Sequence, residues 1–134
     1  MGKRGQTGEQ GFTLVELMIV MLIIAVLLAL AVPKYTSSVR QAKEAVLKED
    51  LHVLRGAIDA YTVDKQKAPT SLDDLVSAGY LKAIPEDPFT RRADSWQPVV
   101  TDTLRAIDQT DPGIDDVHSG STESSLEGQP YASW

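Results

Sequence analysis

The apolar positions of this chain follow two regimes. From Phe12 to Val32 they are nearly continuous, FTLVELMIVMLIIAVLLALAV, with Glu16 the one charged residue inside. As a helix this stretch spans roughly 30 Å, about one hydrocarbon thickness. Past Pro33 the pattern changes to helical spacing: Leu47, Leu51, Leu54, Ile58 and Tyr61 fall on one stripe. Proline inside a helix removes a backbone bond and bends the rod. The two regimes together predict one kinked helix from about Phe12 to about Asp64, with Lys65 and Lys67 at its C-terminal end and Pro69 as the stop. Along it, Glu44 with Lys48 and Arg55 with Asp59 are spaced as i,i+4 ion pairs. The stripe is the natural contact face for a small head; a coiled coil is the alternative, though the stripe is short for one. His52 lies off the stripe, on a polar face.

The pattern then shortens. Thr70 to Leu75 predicts a capped short helix, with Thr70 as N-cap, Asp73 in the box position and Gly79 as terminator. Tyr80, Leu81 and Ile84 are placed to pack back on the stripe, and Pro85 and Pro88 bracket an extended segment. Trp96–Thr101 and Leu104–Ile107 alternate as strands, joined by Asp102-Thr103 as a tight hairpin. Asp111-Pro112-Gly113 reads as a turn and Val117–Ser121 as a short strand entering a loop. The economical arrangement is α+β: a long kinked helix carrying a small head with a short helix and a small antiparallel sheet.

Composition narrows the function. The chain has 134 residues, no cysteine and a formal charge of −6. Disulfide and thiol chemistry are excluded. No dense basic stripe exists to displace counterions from phosphate, so nucleic acid is not an expected partner. The residues offer no nucleophile elbow or Gly-rich phosphate loop. His118 beside Asp116 has the look of half a triad, but two surface residues explain the pair as well. No catalytic residue is assigned.

Three readings fit the N-terminus. Ala29-Leu30-Ala31 supplies the small-x-small pattern of a secretory signal, yet the run exceeds the usual apolar core of about 7–15 residues. A plain membrane anchor explains the length but not Glu16, since an acid at a helix centre costs about 2.5–3.5 kcal/mol to insert. The third reading gives Glu16 a partner. Cleavage between Gly11 and Phe12 would create an α-amino cation one turn from the acid. Opposite charges about 4 Å apart interact by roughly 4 kcal/mol at an effective dielectric near 20. If the amine belongs to a neighbouring subunit, the same attraction drives side-by-side assembly and sets its offset. Lys3 and Arg4 favour a cytoplasmic N-terminus.

Gly11-Phe12-Thr13-Leu14-Val15-Glu16, behind a basic leader and ahead of an uninterrupted span ending at Pro33, resembles the signal of type IV pilins and type II secretion pseudopilins. The resemblance implies a leader, 1–11, removed by prepilin peptidase after Gly11; N-methylation of Phe12; a span, 12–32, stored in the bacterial inner membrane; an amphipathic stalk, 33–67; and a head, 68–134, in the periplasm. It further implies a helical homopolymer raised by an inner-membrane assembly platform together with minor pseudopilins, Glu16 neutralising the Phe12 amine of an adjacent subunit. The Pro-Thr-Ser-Leu-Asp-Asp-Leu run, the Pro-Glu-Asp-Pro step and the terminal Trp134, a packing plug for the head, resemble major pseudopilins most. A type IV pilus subunit and a monomeric membrane-anchored periplasmic module are the alternatives. Many major pseudopilins hold calcium in the C-terminal loop. By that resemblance Asp115, Asp116, Ser119, Ser121 and Glu123 are the candidate ligands here, although Thr122-Glu123-Ser124 stands where the family has an Asp-Gly step.

Overall fold

The computed structural model describes residues 11, 13–101 and 112–134. Helix α1 runs from Leu14 to Lys65. It begins later than Phe12 because Thr13 is its N-cap: the Thr13 hydroxyl oxygen accepts the Glu16 N–H at 3.0 Å, and the Thr13 carbonyl accepts the Leu17 N–H. The helix continues through Pro33, where the Thr36 hydroxyl donates to the Pro33 carbonyl. It stops before Pro69. Gln66 adopts the left-handed conformation, φ 59°, and its side-chain amide caps the Val63 carbonyl at 2.6 Å.

The chain divides into two compact units, one up to Ser38 and the other Val39–Trp134. In the first, every described residue is exposed, including Leu14 at 75% and Leu30 at 72%. The second owns the core. Leu47, Leu51, Leu54, Ala57 and Ile58 of α1 are buried, as the stripe requires, with Leu75, Trp96, Ile114, Val117 and Tyr131 closing over them. Tyr61, Tyr80, Leu81 and Ile84 pack half-buried at the margin.

Helix α2, Leu72–Ser77, is shifted one residue from expectation. Ser71 is the N-cap, and Asp74 rather than Asp73 closes the box. The Asp74 carboxylate accepts the Thr70 N–H, the Thr70 hydroxyl and the Ser71 N–H, at 2.9, 2.6 and 3.0 Å. Those bonds, led by the Thr70 hydroxyl, hold its pKa below the ordinary carboxylate value although burial opposes them. Gly79 does end the helix, with φ 87°; its N–H reaches the Val76 carbonyl and that of Tyr80 reaches the Leu75 carbonyl, a Schellman closure.

Strand β1, Gln97–Thr101, pairs antiparallel with β2, Gly113–His118, with a bulge between Val99 and Val100. Gly113 lies in β2, opposite Thr101, rather than in a turn, and the strand ends at His118 instead of starting near it. The expected hairpin at Asp102-Thr103, the strand Leu104–Ile107 and Asp111 lie outside the described residues. A short 3-10 turn, Tyr131–Ser133, brings the end of the chain onto the core.

Candidate assembly site

The exposed half of α1 is long and apolar enough to cross a membrane. An apolar surface of this extent on a water-soluble monomer would be an anomaly; on a membrane or filament protein it is the working face. Glu16 occupies the third position of the helix, where an acid meets the positive end of the helix dipole. Thr13-Leu14-Val15-Glu16 is thus a capping-box sequence, a start signal legible in the residues but absent from the periodicity. Gly11 has φ 92°, a conformation that favours glycine. Phe12 lies outside the described residues.

The candidate loop ligands are placed clearly, and they do not converge. Asp116 accepts the Arg55 Nε–H at 2.6 Å and the Val117 N–H at 2.7 Å. Burial works against its ionisation, but these bonds and the charge of Arg55 prevail and keep its pKa low. Glu123 faces the Arg40 guanidinium at 3.3 Å. Ser119 and Ser121 are buried and serve the backbone: the Ser119 hydroxyl accepts the Ser121 N–H, and the Ser121 hydroxyl accepts the Glu123 N–H. Ser119 also donates to Asp87. Asp115 lies in β2, half-buried. Among the described residues no three Asp, Glu or His side chains gather as metal ligands. As arranged, this set does not fit a calcium ion, because two of its carboxylates are already committed to guanidinium groups.

Sequence reasoning missed the residues that hold this loop. Arg40 lies seven positions before Leu47 and so in line with the apolar stripe, with Glu44 one turn on. Arg40 Nε–H donates to the Tyr131 phenol at 3.3 Å, and that phenol donates to Glu44 at 2.8 Å. Burial, then the Glu44 bond, raises the Tyr131 pKa and keeps the proton on the phenol. Glu44 also accepts the Leu126 N–H, while Lys48 sits 4.9 Å over the Trp134 ring. Of the charges expected to pair along the helix, Glu44, Lys48 and Arg55 are drawn to the C-terminal segment instead. His118 Nδ1 lies 2.6 Å from the Trp134 main-chain oxygen and Nε2 lies 3.7 Å from Asp116, whereas the Ser119 hydroxyl is turned to Asp87. His52 is exposed. Trp134 packs edge-on against Tyr131 at 5.0 Å, in keeping with a packing role.

Comparison with known proteins agrees with the N-terminal geometry and extends it over the head. Residues 6–32 match the prokaryotic N-terminal methylation motif. The chain is 33% identical over 129 residues to type II secretion system core protein G of Pseudomonas aeruginosa, covering 84% of this chain and 89% of that one. The protein of the same name from Klebsiella pneumoniae is 35% identical over 97 residues, 60% of this chain and 69% of that one. Competence protein ComGC of Halalkalibacterium halodurans is 38% identical over 74 residues, 55% of this chain and 72% of that one. No solved structure gives a significant match.

Proposed function

This chain belongs to the type II secretion system core protein G family, and from that premise we propose that it is the repeating subunit of a periplasmic pseudopilus that supports protein export. The observation that carries the reading is Glu16 at the first turn of an apolar helix exposed along its whole length to Ser38. Such a helix is stable only in lipid or among its own kind.

In this reading prepilin peptidase cuts after Gly11, Phe12 becomes the N-methylated first residue, and the subunit waits in the inner membrane with its head in the periplasm. The assembly platform and minor pseudopilins then start and extend the polymer. As a subunit leaves lipid, its apolar helix is buried against neighbouring helices. Glu16 neutralises the Phe12 amine of an adjacent copy, so the two charges enter the filament core as a pair. The protein's work is polymerisation, not turnover.

Glu16→Ala tests the reading. The variant should still be processed, with a mature mass that starts at Phe12, yet yield little or no polymer when the secretion genes are overexpressed. Normal fibres from Glu16→Ala would overturn the pairing, and a mature chain beginning elsewhere than Phe12 would overturn the cleavage. With a competence protein among the similar proteins, a type IV pilus subunit is kept as the second reading. Abundant sheared fibres of this subunit at native expression would support that one instead.

A further inference from the structure

We propose that Arg40 and Arg55 are the fixed cations that fasten the C-terminal segment to α1, so that the head of this protein holds its loop without calcium. Both arginines stand on α1 within the unit that owns the core. Arg55 gathers three acceptors from two places in the chain: in β2 the Asp116 carboxylate at 2.6 Å and the Val117 carbonyl at 3.0 Å, and at residue 134 the Trp134 main-chain oxygen at 2.6 Å. Arg40 holds the Glu123 carboxylate and the Tyr131 phenol, each at 3.3 Å.

The Asp116 carboxylate and the Val117 and Trp134 main-chain oxygens around Arg55 are the kind of oxygen set a hard cation collects. Here the planar guanidinium fork collects it. A divalent ion placed at either arginine's set of acceptors would face a guanidinium charge and would have to displace charge-assisted hydrogen bonds. The polar groups between the two clamps are tied off as well, Ser119 to Asp87 and Ser121 to the Glu123 N–H. The inference goes beyond the proposed function, since it concerns the folding of the head whether or not the chain polymerises.

The test uses the full mature chain in detergent, with calcium chloride or EGTA as the only variable. Thermal midpoint and amide exchange over residues 119–134 should be the same in both. A calcium site loaded at a hundred times its dissociation constant would raise the midpoint by about 10–20 °C in a unit of this size, and such a rise would overturn the proposal. Arg40→Gln should speed exchange several-fold at Leu126 and Tyr131 while leaving the buried α1 amides near Leu51 protected. Unchanged exchange in that variant would also overturn it. Because the first measurement needs no substitution, a misfolded variant would leave the proposal exposed to the calcium result, and a failure to form filaments would bear on the proposed function alone.

Discussion

The Asp87 carboxylate, wholly buried, accepts the Ser119 hydroxyl at 2.5 Å across 32 positions of sequence. Its other oxygen accepts the N–H groups of Phe89 and Thr90, at 2.8 and 3.4 Å. One side chain therefore shapes the Pro-rich loop and pins it to the C-terminal segment. Asp87→Ala leaves a buried hydroxyl and two amides short of an acceptor, which costs about 1–3 kcal/mol for each buried polar group left unsatisfied. Asp87→Asn keeps one acceptor oxygen and should lose less. Denaturant unfolding of the mature chain in detergent measures both, and equal stability of wild type and Asp87→Ala would refute the pinning role.

Acid should weaken the head through two other carboxylates. Asp74 and Asp116 both have folded pKa values below the ordinary value of 3.8. Depressed acids contribute stability that is full above the unfolded pKa and lost as pH falls through the folded one. Stability should accordingly decline below roughly pH 4, and Asp74→Asn should flatten that decline. Asp50 acts with the opposite sign. Burial, and then the nearby Asp87 and Glu49 charges, raise its pKa, so protonating it relieves strain as pH falls. Asp50→Asn should stabilise the head at neutral pH, by less than about 1 kcal/mol for a partly solvated group, with the gain vanishing toward acid. Unfolding curves at pH 7, 5 and 3 separate the two signs.

Gly120 has no room for a side chain. A Cβ built there collides with the Ser95 carbonyl, backbone that cannot swing aside. Gly120→Ala must therefore push the C-terminal segment off the Thr90–Ser95 loop, at a cost of about 1–3 kcal/mol or more. Loss of the 2.6 Å contact between the Thr90 and Ser95 hydroxyls should accompany it. By contrast Gly79→Ala meets no atom within 4 Å but must hold φ 87°. Its loss is conformational and should be nearer 1 kcal/mol. Comparing the midpoints of the two variants tells a collision from a backbone penalty.

What the residues disclose in advance depends on how local the cause is. The stripe Leu47, Leu51, Leu54, Ile58 declares itself because burial repeats with the helix, and all four are buried. Gly79 declares itself because a left-handed closure needs it. The cap of α2 slips by one because Thr70, Ser71, Asp73 and Asp74 offer two overlapping boxes, and only the geometry picks Asp74. Asp87, Arg40 and Arg55 stay hidden for another reason: their partners lie 32, 83 and 61 positions away, and no periodicity reports on such pairs. Asp116 and Glu123 look like free ligands in sequence because the arginines that neutralise them belong to a different element.

Thr13 gives the last prediction. Its hydroxyl oxygen caps the Glu16 N–H at the start of α1, so the residue that begins the helix also fixes the backbone of the acid proposed to pair with a neighbour's amine. Thr13→Val keeps the shape and removes the acceptor, a loss of about 1 kcal/mol that falls on the first turn alone. Thr13→Ser keeps the oxygen and should behave as wild type. In detergent micelles, amide exchange of residues 14–17 should quicken in Thr13→Val while residues beyond Met18 are unaffected. If Glu16 must be held in place to meet its partner's amine, polymer yield should drop in Thr13→Val, recover in Thr13→Ser and stay above that of Glu16→Ala. A frayed first turn with full polymer yield would mean that the acid finds the amine without the cap.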